Sequence, residues 1–245
     1  MLLCSESFFL FMFTNAVIIL AQEFRLDSYI VDRPLPYLSK HSFINRSEQN
    51  ITIKNCSLET IAPEAFKNVK AAKIYIIENP LRILRRRMFN LVMVDELYCD
   101  RNQISEIEPG TFHYVHPIYE DALQILSLSN NKLHTIKRGV FSGTNFRKIL
   151  LNSNKIDYIE FGSFENMPYL LALHLGDNML QRIDIGIFNG FPNPMLLRLS
   201  GNKINFIHRR AFENSTFLSL DLQDNDLGNV EKEYFINALI GWYFI

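Results

Sequence analysis

The sequence is poor in the residues on which disulfide-rich domains and many enzymes depend. It holds three cysteines, six histidines and one tryptophan in 245 residues, too few cysteines for a scaffold built on several disulfides. The formal net charge of −1 gives no overall attraction to nucleic acid or acidic lipid. Only ten glycines are present, and no phosphate-binding glycine loop, Gly-x-Ser-x-Gly or His-Glu-x-x-His motif occurs. We therefore expect no catalytic residues, no metal and no cofactor.

Long apolar runs are also scarce. Residues 8–13 and 16–20 are apolar, and Ala21-Gln22 follows as a cleavage point, although no Lys or Arg precedes the run. A membrane span needs about 20 consecutive apolar residues. We interpret residues 1–21 as a secretory signal peptide, with a signal anchor as the alternative, and expect no stable membrane span elsewhere.

Four Asn-x-Ser/Thr sequons agree with export to the extracellular space. They begin at Asn45, Asn50, Asn55 and Asn214. Three of the four asparagines lie within eleven residues of one another, which is a more specific signal than a single sequon. The sequence therefore predicts a secreted glycoprotein.

A repeat of 23 to 24 residues occupies most of the chain. A slot that is nearly always Asn recurs at intervals of 23, 23, 29, 23, 24, 24 and 23 residues, and a phenylalanine stands ten positions after each slot. The slots are Cys56, Asn79, Asn102, Asn131, Asn154, Asn178, Asn202 and Asn225. An eroded copy precedes them, with Ile30, Leu38 and Phe43 at the apolar positions and Arg33 in the slot.

This pattern resembles the leucine-rich repeat family, of the extracellular 23–24-residue type found in Toll-type receptor ectodomains and small secreted proteins. The resemblance implies an α/β solenoid, or horseshoe, with a parallel concave sheet of about 8–9 short strands and an irregular convex side. We expect one domain at 22–245. It consists of the eroded repeat at 26–47 and repeats that begin near residues 48, 71, 94, 123, 146, 170, 194 and 217.

The slot residues are expected to satisfy backbone groups where each strand turns into the core. Asn carries both a donor and an acceptor, and Cys56 can replace it as a small buried group with a weak donor. Cys99 falls on an inward strand position two repeats later. Since adjacent strands are about 4.8 Å apart, the two cysteines would be about 10 Å apart, beyond the reach of about 7 Å for a disulfide. Two buried free thiols are therefore favoured over a disulfide.

The outward positions of the strands form a concave face that the repeat leaves unconstrained. Tyr75 and Tyr98 should lie side by side there, and Tyr and Arg are frequent binding anchors. The predicted binding residues are Tyr75, Tyr98, Ile77, Asp100, Arg101, Leu150, His174, Arg198 and Asp221. A solvated sheet face with ordinary cross-strand pairs is the alternative. A glycan on Asn50 would restrict a partner to the repeats from Tyr75 onward.

Two other features have a functional and a structural interpretation. The 29-residue interval places an insertion near residues 113–121, expected on the convex back, where two His and two acids suggest a metal only weakly. Arg82 and Arg85–Arg87 are also expected on the back. A basic run can bind sulfated glycans or be cleaved by a protease, but a solvated face is favoured.

These expectations favour a non-catalytic extracellular recognition module that binds a protein or glycan ligand, and no nucleic acid, on its concave face. A role in immunity or cell-surface signalling is plausible for such a module. The alternatives are a structural or adhesive matrix protein that assembles through its ends, or a truncated receptor ectodomain. End-to-end self-association is considered because residues 236–245 resemble the strand of a further repeat and no cysteine-rich cap is present.

Overall fold

The computed structural model describes residues 28–191, 193–228, 235 and 238–244, so the predicted signal peptide lies outside the described residues. The strands, in chain order, are β1 (Tyr29–Val31), β2 (Tyr37–Leu38), β3 (Ser47–Lys54), β4 (Thr60–Ile61), β5 (Lys70–Ile77), β6 (Ile83–Leu84), β7 (Val92–Tyr98), β8 (Glu106–Ile107), β9 (Val115–His116), β10 (Ile125–Ser127), β11 (Thr135–Ile136), β12 (Lys148–Leu150), β13 (Tyr158–Ile159), β14 (Ala172–His174), β15 (Arg182–Ile183), β16 (Met195–Arg198), β17 (Phe206–Ile207), β18 (Thr216–Asp221) and β19 (Leu239–Phe244).

The main sheet confirms the predicted solenoid. Its order is β1-β3-β5-β7-β10-β12-β14-β16-β18-β19, with β9 beside β7, and the strands pair in parallel. In the described part of the chain this sheet has eleven strands, more than the 8–9 expected, because β9 and β19 join it. The back carries two-residue strand pairs such as β2–β4 and β15–β17. The described residues there form turns and strands and no α-helix.

Alternation along each strand separates the core from the outer face. In β14, Leu173 is fully buried while His174 is partly exposed, as expected for successive side chains that point to opposite faces. The register carries this alternation through the sheet, because Leu126, Ile149 and Leu173 lie opposite one another on neighbouring strands. One continuous apolar core therefore runs along the solenoid, and each repeat buries its apolar face against its neighbours.

The repeated phenylalanines form a second continuous element of the core. Nine rings, one per repeat and one from the eroded copy, stack with centroids 5.1–6.3 Å apart. They are Phe43, Phe66, Phe89, Phe112, Phe141, Phe164, Phe188, Phe212 and Phe235. Stacked aromatic pairs add about 0.5–1.5 kcal/mol beyond the area that they bury. Each repeat is therefore held to its neighbours at two places, by the strand in the main sheet and by the phenylalanine in this stack.

The slot residues make a ladder of hydrogen bonds between repeats. The Asn178 side chain donates through Nδ2 to the carbonyl oxygens of Leu151 and Leu175, each at 3.0 Å, and accepts through Oδ1 from the Ile156 amide, also at 3.0 Å. The Cys56 Sγ lies 3.2 and 3.0 Å from the carbonyl oxygens of Ile30 and Lys54, and its single proton is shared between these two acceptors. Cys56 therefore supplies one weak donor in the slot and no side-chain acceptor comparable to the Asn oxygen.

The expected location of the insertion after Phe112 is wrong. Met93 pairs with His116 and Glu96 pairs with Ile125, so residues 117–124 stand where residues 94–95 stand in the preceding repeat. The insertion therefore departs at the start of the concave strand and not on the convex back. Its ends are tied down by Ile118 N, which donates to Asp95 Oδ1 at 2.9 Å, and by Gln124 Nε2, which donates to Val94 O at 3.0 Å.

Candidate functional site: the concave face

The strand register places the predicted binding residues in rows across the concave face. The central row pairs one residue from each successive strand. It consists of Thr52, Tyr75, Tyr98, Ser127, Leu150, His174, Arg198 and Asp221. Ser127 is only 2% exposed, whereas its neighbours in the row are partly exposed. The predicted set therefore falls into an N-terminal group around Tyr75 and Tyr98 and a C-terminal group from Leu150 to Asp221.

The two tyrosines of the N-terminal group are fixed before any ligand arrives. Their rings are stacked, with centroids 5.0 Å apart and planes 6° from parallel. The Tyr98 hydroxyl donates to Glu96 Oε2 at 2.7 Å, and Lys73 Nζ lies 3.0 Å from the same oxygen. Burial, followed by the Glu96 carboxylate, raises the pKa of the Tyr98 hydroxyl, so it remains a neutral donor. A rigid aromatic pair loses little conformational entropy on binding.

The residues beside this pair have separate structural partners. Asp100 Oδ1 accepts from Ser127 Oγ at 2.6 Å and from Ser129 N at 2.8 Å, and burial raises the pKa of its carboxyl group. Arg101 points to Glu78, with an N–O distance of 3.2 Å, so its guanidinium is not paired with Asp100. Ile77 is half-buried. Asp100 and Arg101 therefore frame the tyrosine pair at the edge where the strands end.

The C-terminal group is more open and differently charged. His174 is partly exposed and Arg198 is exposed. Burial, and then the positive charges of Arg198 and Lys148, lower the pKa of His174 to about 4. Asp221 accepts through Oδ2 from Ser200 Oγ at 3.0 Å and through Oδ1 from the Gln223 amide at 3.2 Å. The residues paired with His174 on β12 and β16 are Leu150 and Arg198, neither of which is a nucleophile.

Glu96, Lys73 and Lys148 were not among the predicted binding residues. They lie one row before the tyrosines and His174, with Lys73 paired to Glu96 and Ile125 paired to Lys148 across neighbouring strands. The sequence could have identified these three residues as outward-pointing, because a residue two positions before an outward residue also points outward. The ion pair itself depends on side-chain conformation, which the spacing does not give.

Three of the four sequon asparagines occupy turns that favour asparagine in any case. Asn45, Asn55 and Asn214 have φ of 54°, 50° and 58°, in the left-handed region that Asn tolerates better than most residues. Asn55 Nδ2 also donates to Asp32 Oδ1 at 2.8 Å. Asn50 alone of the four lies in an extended strand, β3, where its side chain is exposed on the concave side. The side chains of all four are exposed.

The residues for which the sequence raised a metal site, a disulfide or a basic binding site have ordinary structural environments. Among the described residues no group of His, Cys, Asp and Glu is arranged to hold a metal ion. Cys56 and Cys99 are buried free thiols, as the repeat register predicted, and burial raises the pKa of Cys99. The arginines at 82 and 85–87 are exposed, and Arg85 lies 3.6 Å from Glu108. No helix in the described part of the chain reaches the length and hydropathy needed to cross a bilayer.

The stacked parallel strands, the buried asparagine ladder and the phenylalanine row together define a leucine-rich-repeat solenoid. A family model described as "Leucine rich repeat" matches residues 121–180 and 168–227. In both its repeat pattern and its fold the chain is therefore similar to leucine-rich repeat proteins.

Individual proteins are also similar to parts of this chain. Keratocan of Gallus gallus is 36% identical over 135 residues, which cover 54% of this chain and 35% of that protein. Keratocan of Mus musculus is 28% identical over 218 residues, which cover 85% of this chain and 56% of that protein. The chain thus spans between about a third and a little over half of the length of these relatives.

A solved structure supports the fold. The crystal structure of the TLR13–ssRNA13 complex matches 78% of this chain and 26% of that chain, with a TM-score of 0.62 and 22% sequence identity. At this identity the likeness concerns the solenoid and not the ligand.

Proposed function

We propose that the chain is an extracellular recognition module that binds a protein ligand on its concave face. The observation that carries the proposal is the stacked Tyr75–Tyr98 pair, held by Glu96 and Lys73 on the open face of the sheet. Interface hot spots are enriched in Tyr and Arg, and such anchors bind best when their conformation is already fixed. The sequons and the similarity to Keratocan support an extracellular location.

Surface chemistry supports a protein ligand over a nucleic acid. The concave face mixes the tyrosines with aliphatic residues such as Leu150 and Leu196, the latter 37% exposed, and with charges of both signs. Nucleic-acid binding depends on many unpaired cations that neutralise phosphates, whereas Lys54, Lys73 and Arg101 are each paired with a glutamate. The proposal extends to a role in immunity or cell-surface signalling, where proteins are recognised outside the cell.

The proposal is tested with the secreted chain in a binding screen against extracellular proteins. The variant Tyr75→Ala/Tyr98→Ala removes the aromatic pair, and we expect it to weaken binding by about tenfold or more, because hot-spot truncations cost about 2 kcal/mol or more. The matched control is Tyr37→Ala/Tyr158→Ala, which removes two tyrosines of the convex side that are 52% and 54% exposed. Loss of binding in the control and not in the concave variant would contradict the proposal.

One observation favours a second candidate function, assembly through the end of the solenoid. Strand β19 pairs with β18 on one edge, and its side chains are highly exposed, with Leu239 at 71%, Trp242 at 74% and Tyr243 at 63%. An apolar edge strand is a template for pairing with another chain. On this proposal a second copy pairs with β19, and the chain serves as a structural or adhesive component.

A further inference from the structure

The charges of the concave face are organised differently in its two halves. In the N-terminal half three cations are paired with acids across neighbouring strands. Lys73 Nζ lies 3.0 Å from Glu96 Oε2, and Lys54 and Arg101 lie 3.5 and 3.2 Å from Glu78 Oε1. Such exposed pairs add little stability, but they leave this half nearly neutral toward a ligand.

The C-terminal half contains two cations that no acid neutralises. Lys148 on β12 and Arg198 on β16 take part in no ion pair with any described residue. Both strands pair with β14, where Arg198 lies opposite His174 and Lys148 lies opposite Ala172, so Lys148 is diagonal to His174. Since adjacent strands are about 4.8 Å apart and each residue advances about 3.3 Å along a strand, the two backbone positions are roughly 12 Å apart, and both side chains are long enough to converge on one ligand.

The positive charges of Lys148 and Arg198 both act on the side chain of His174. Both charges lower the pKa of the His174 ring between them, although burial is the larger cause. The nearest acid in the central row, Asp221, accepts hydrogen bonds from Ser200 Oγ and the Gln223 amide and lies beyond ion-pair distance of Arg198. An anion placed over His174 would therefore meet two cations whose charges no other described group balances.

We propose that Lys148 and Arg198 form a subsite for the carboxylates of an acidic segment of the protein partner. This inference rests on the proposed function and names the chemistry that the C-terminal half of the same face would recognise. Charge complementarity of this kind sets specificity and association rate.

The aliphatic neighbours favour an acidic peptide over a sulfated glycan. Leu196 lies in the same row as Lys148, and Leu150 is next to His174 in the central row. Asp221 follows Arg198 in that row. A highly sulfated chain would have to cross apolar side chains and a carboxylate, whereas a peptide that alternates acidic and aliphatic residues matches both kinds of neighbour.

The test measures binding of a fluorescein-labelled peptide of alternating glutamate and leucine by fluorescence polarisation, with the full chain. A peptide with glutamine in place of glutamate is the ligand control. We expect Lys148→Gln/Arg198→Gln to weaken binding of the acidic peptide by about tenfold or more, because hydrogen bonds to charged groups are stronger than those between neutral groups and the variant loses two cationic donors. The matched variant Lys155→Gln/Lys203→Gln removes two exposed cations outside the concave strands and should change binding less than about twofold.

Equal loss in both variants, or equal binding of the glutamate and glutamine peptides, would overturn the subsite. So would a heparin oligosaccharide that binds through Lys148 and Arg198 while the acidic peptide does not. Failure of the proposed function is separable, because it appears as unchanged partner binding in Tyr75→Ala/Tyr98→Ala. That outcome leaves the dependence of peptide binding on Lys148 and Arg198 intact.

Discussion

At the scale of single residues, the repeat has two kinds of position. Some require a hydrogen-bond donor or a particular backbone conformation, and others require only an apolar side chain of suitable size. The slot accepts Cys56 because its thiol still places one weak donor within reach of two carbonyl oxygens. The position before the slot has positive φ in each repeat, and it is filled by Asn55, Glu78, Arg101 and other residues as well as by Gly201. The surrounding hydrogen bonds therefore impose this conformation even on residues that rarely adopt it.

His174 provides a prediction at this scale. Its folded-state pKa of about 4 lies below the ordinary value of about 6.5. Between these values the unfolded chain binds more protons than the folded chain, so the free energy of unfolding should fall as pH decreases from about 6.5 to 4. We expect His174→Gln to make this decrease shallower, measured by urea unfolding at pH 7.5 and pH 5. The control is His134→Gln, at an exposed position. An identical pH dependence in wild type and His174→Gln would show that the ring does not resist protonation.

At the scale of structural elements, the strands and the phenylalanine row were predictable because they follow a fixed spacing, and the insertion was not. The 29-residue interval revealed its existence. Its location depended on whether the chain forms a strand before or after the extra residues. Val115 and His116 pair with Val92 and Met93 before the insertion begins, and short strands such as β9 carry no strong sequence signal.

The phenylalanine row provides a prediction about packing. Phe141 is fully buried, with its ring 6.1 Å from Phe112 and 5.7 Å from Phe164. We expect Phe141→Ala to lower the free energy of unfolding by about 3–5 kcal/mol, measured by guanidinium unfolding. The control is Phe161→Ala, at a position 59% exposed, where a change within about 0.5 kcal/mol is expected. Similar losses for both variants would mean that the row is not a principal support of the core.

At the scale of the whole molecule, the proposed assembly through β19 makes a separate prediction. If a second copy pairs with this edge, the chain should form a dimer whose population rises with concentration in analytical ultracentrifugation. Trp242→Ser/Phe244→Ser removes two exposed aromatic residues of β19 and should return the chain to monomer. The control Tyr158→Ser/Phe206→Ser alters exposed residues of the back and should leave the dimer intact. A chain that stays monomeric at all concentrations would exclude this mode of assembly.

The sequence by itself determined the solenoid, the buried ladder, the phenylalanine row and the absence of a disulfide between Cys56 and Cys99. Each follows from spacing, because a repeat that recurs in register must place equivalent residues side by side. The spacing also placed Tyr75 next to Tyr98 and His174 next to Arg198. Only the tertiary structure decided which charges are paired, that Ser127 is covered, and that Lys148 and Arg198 have no acid partner among the described residues. Those outcomes depend on side-chain conformations and on contacts between neighbouring rows, which no repeat rule constrains.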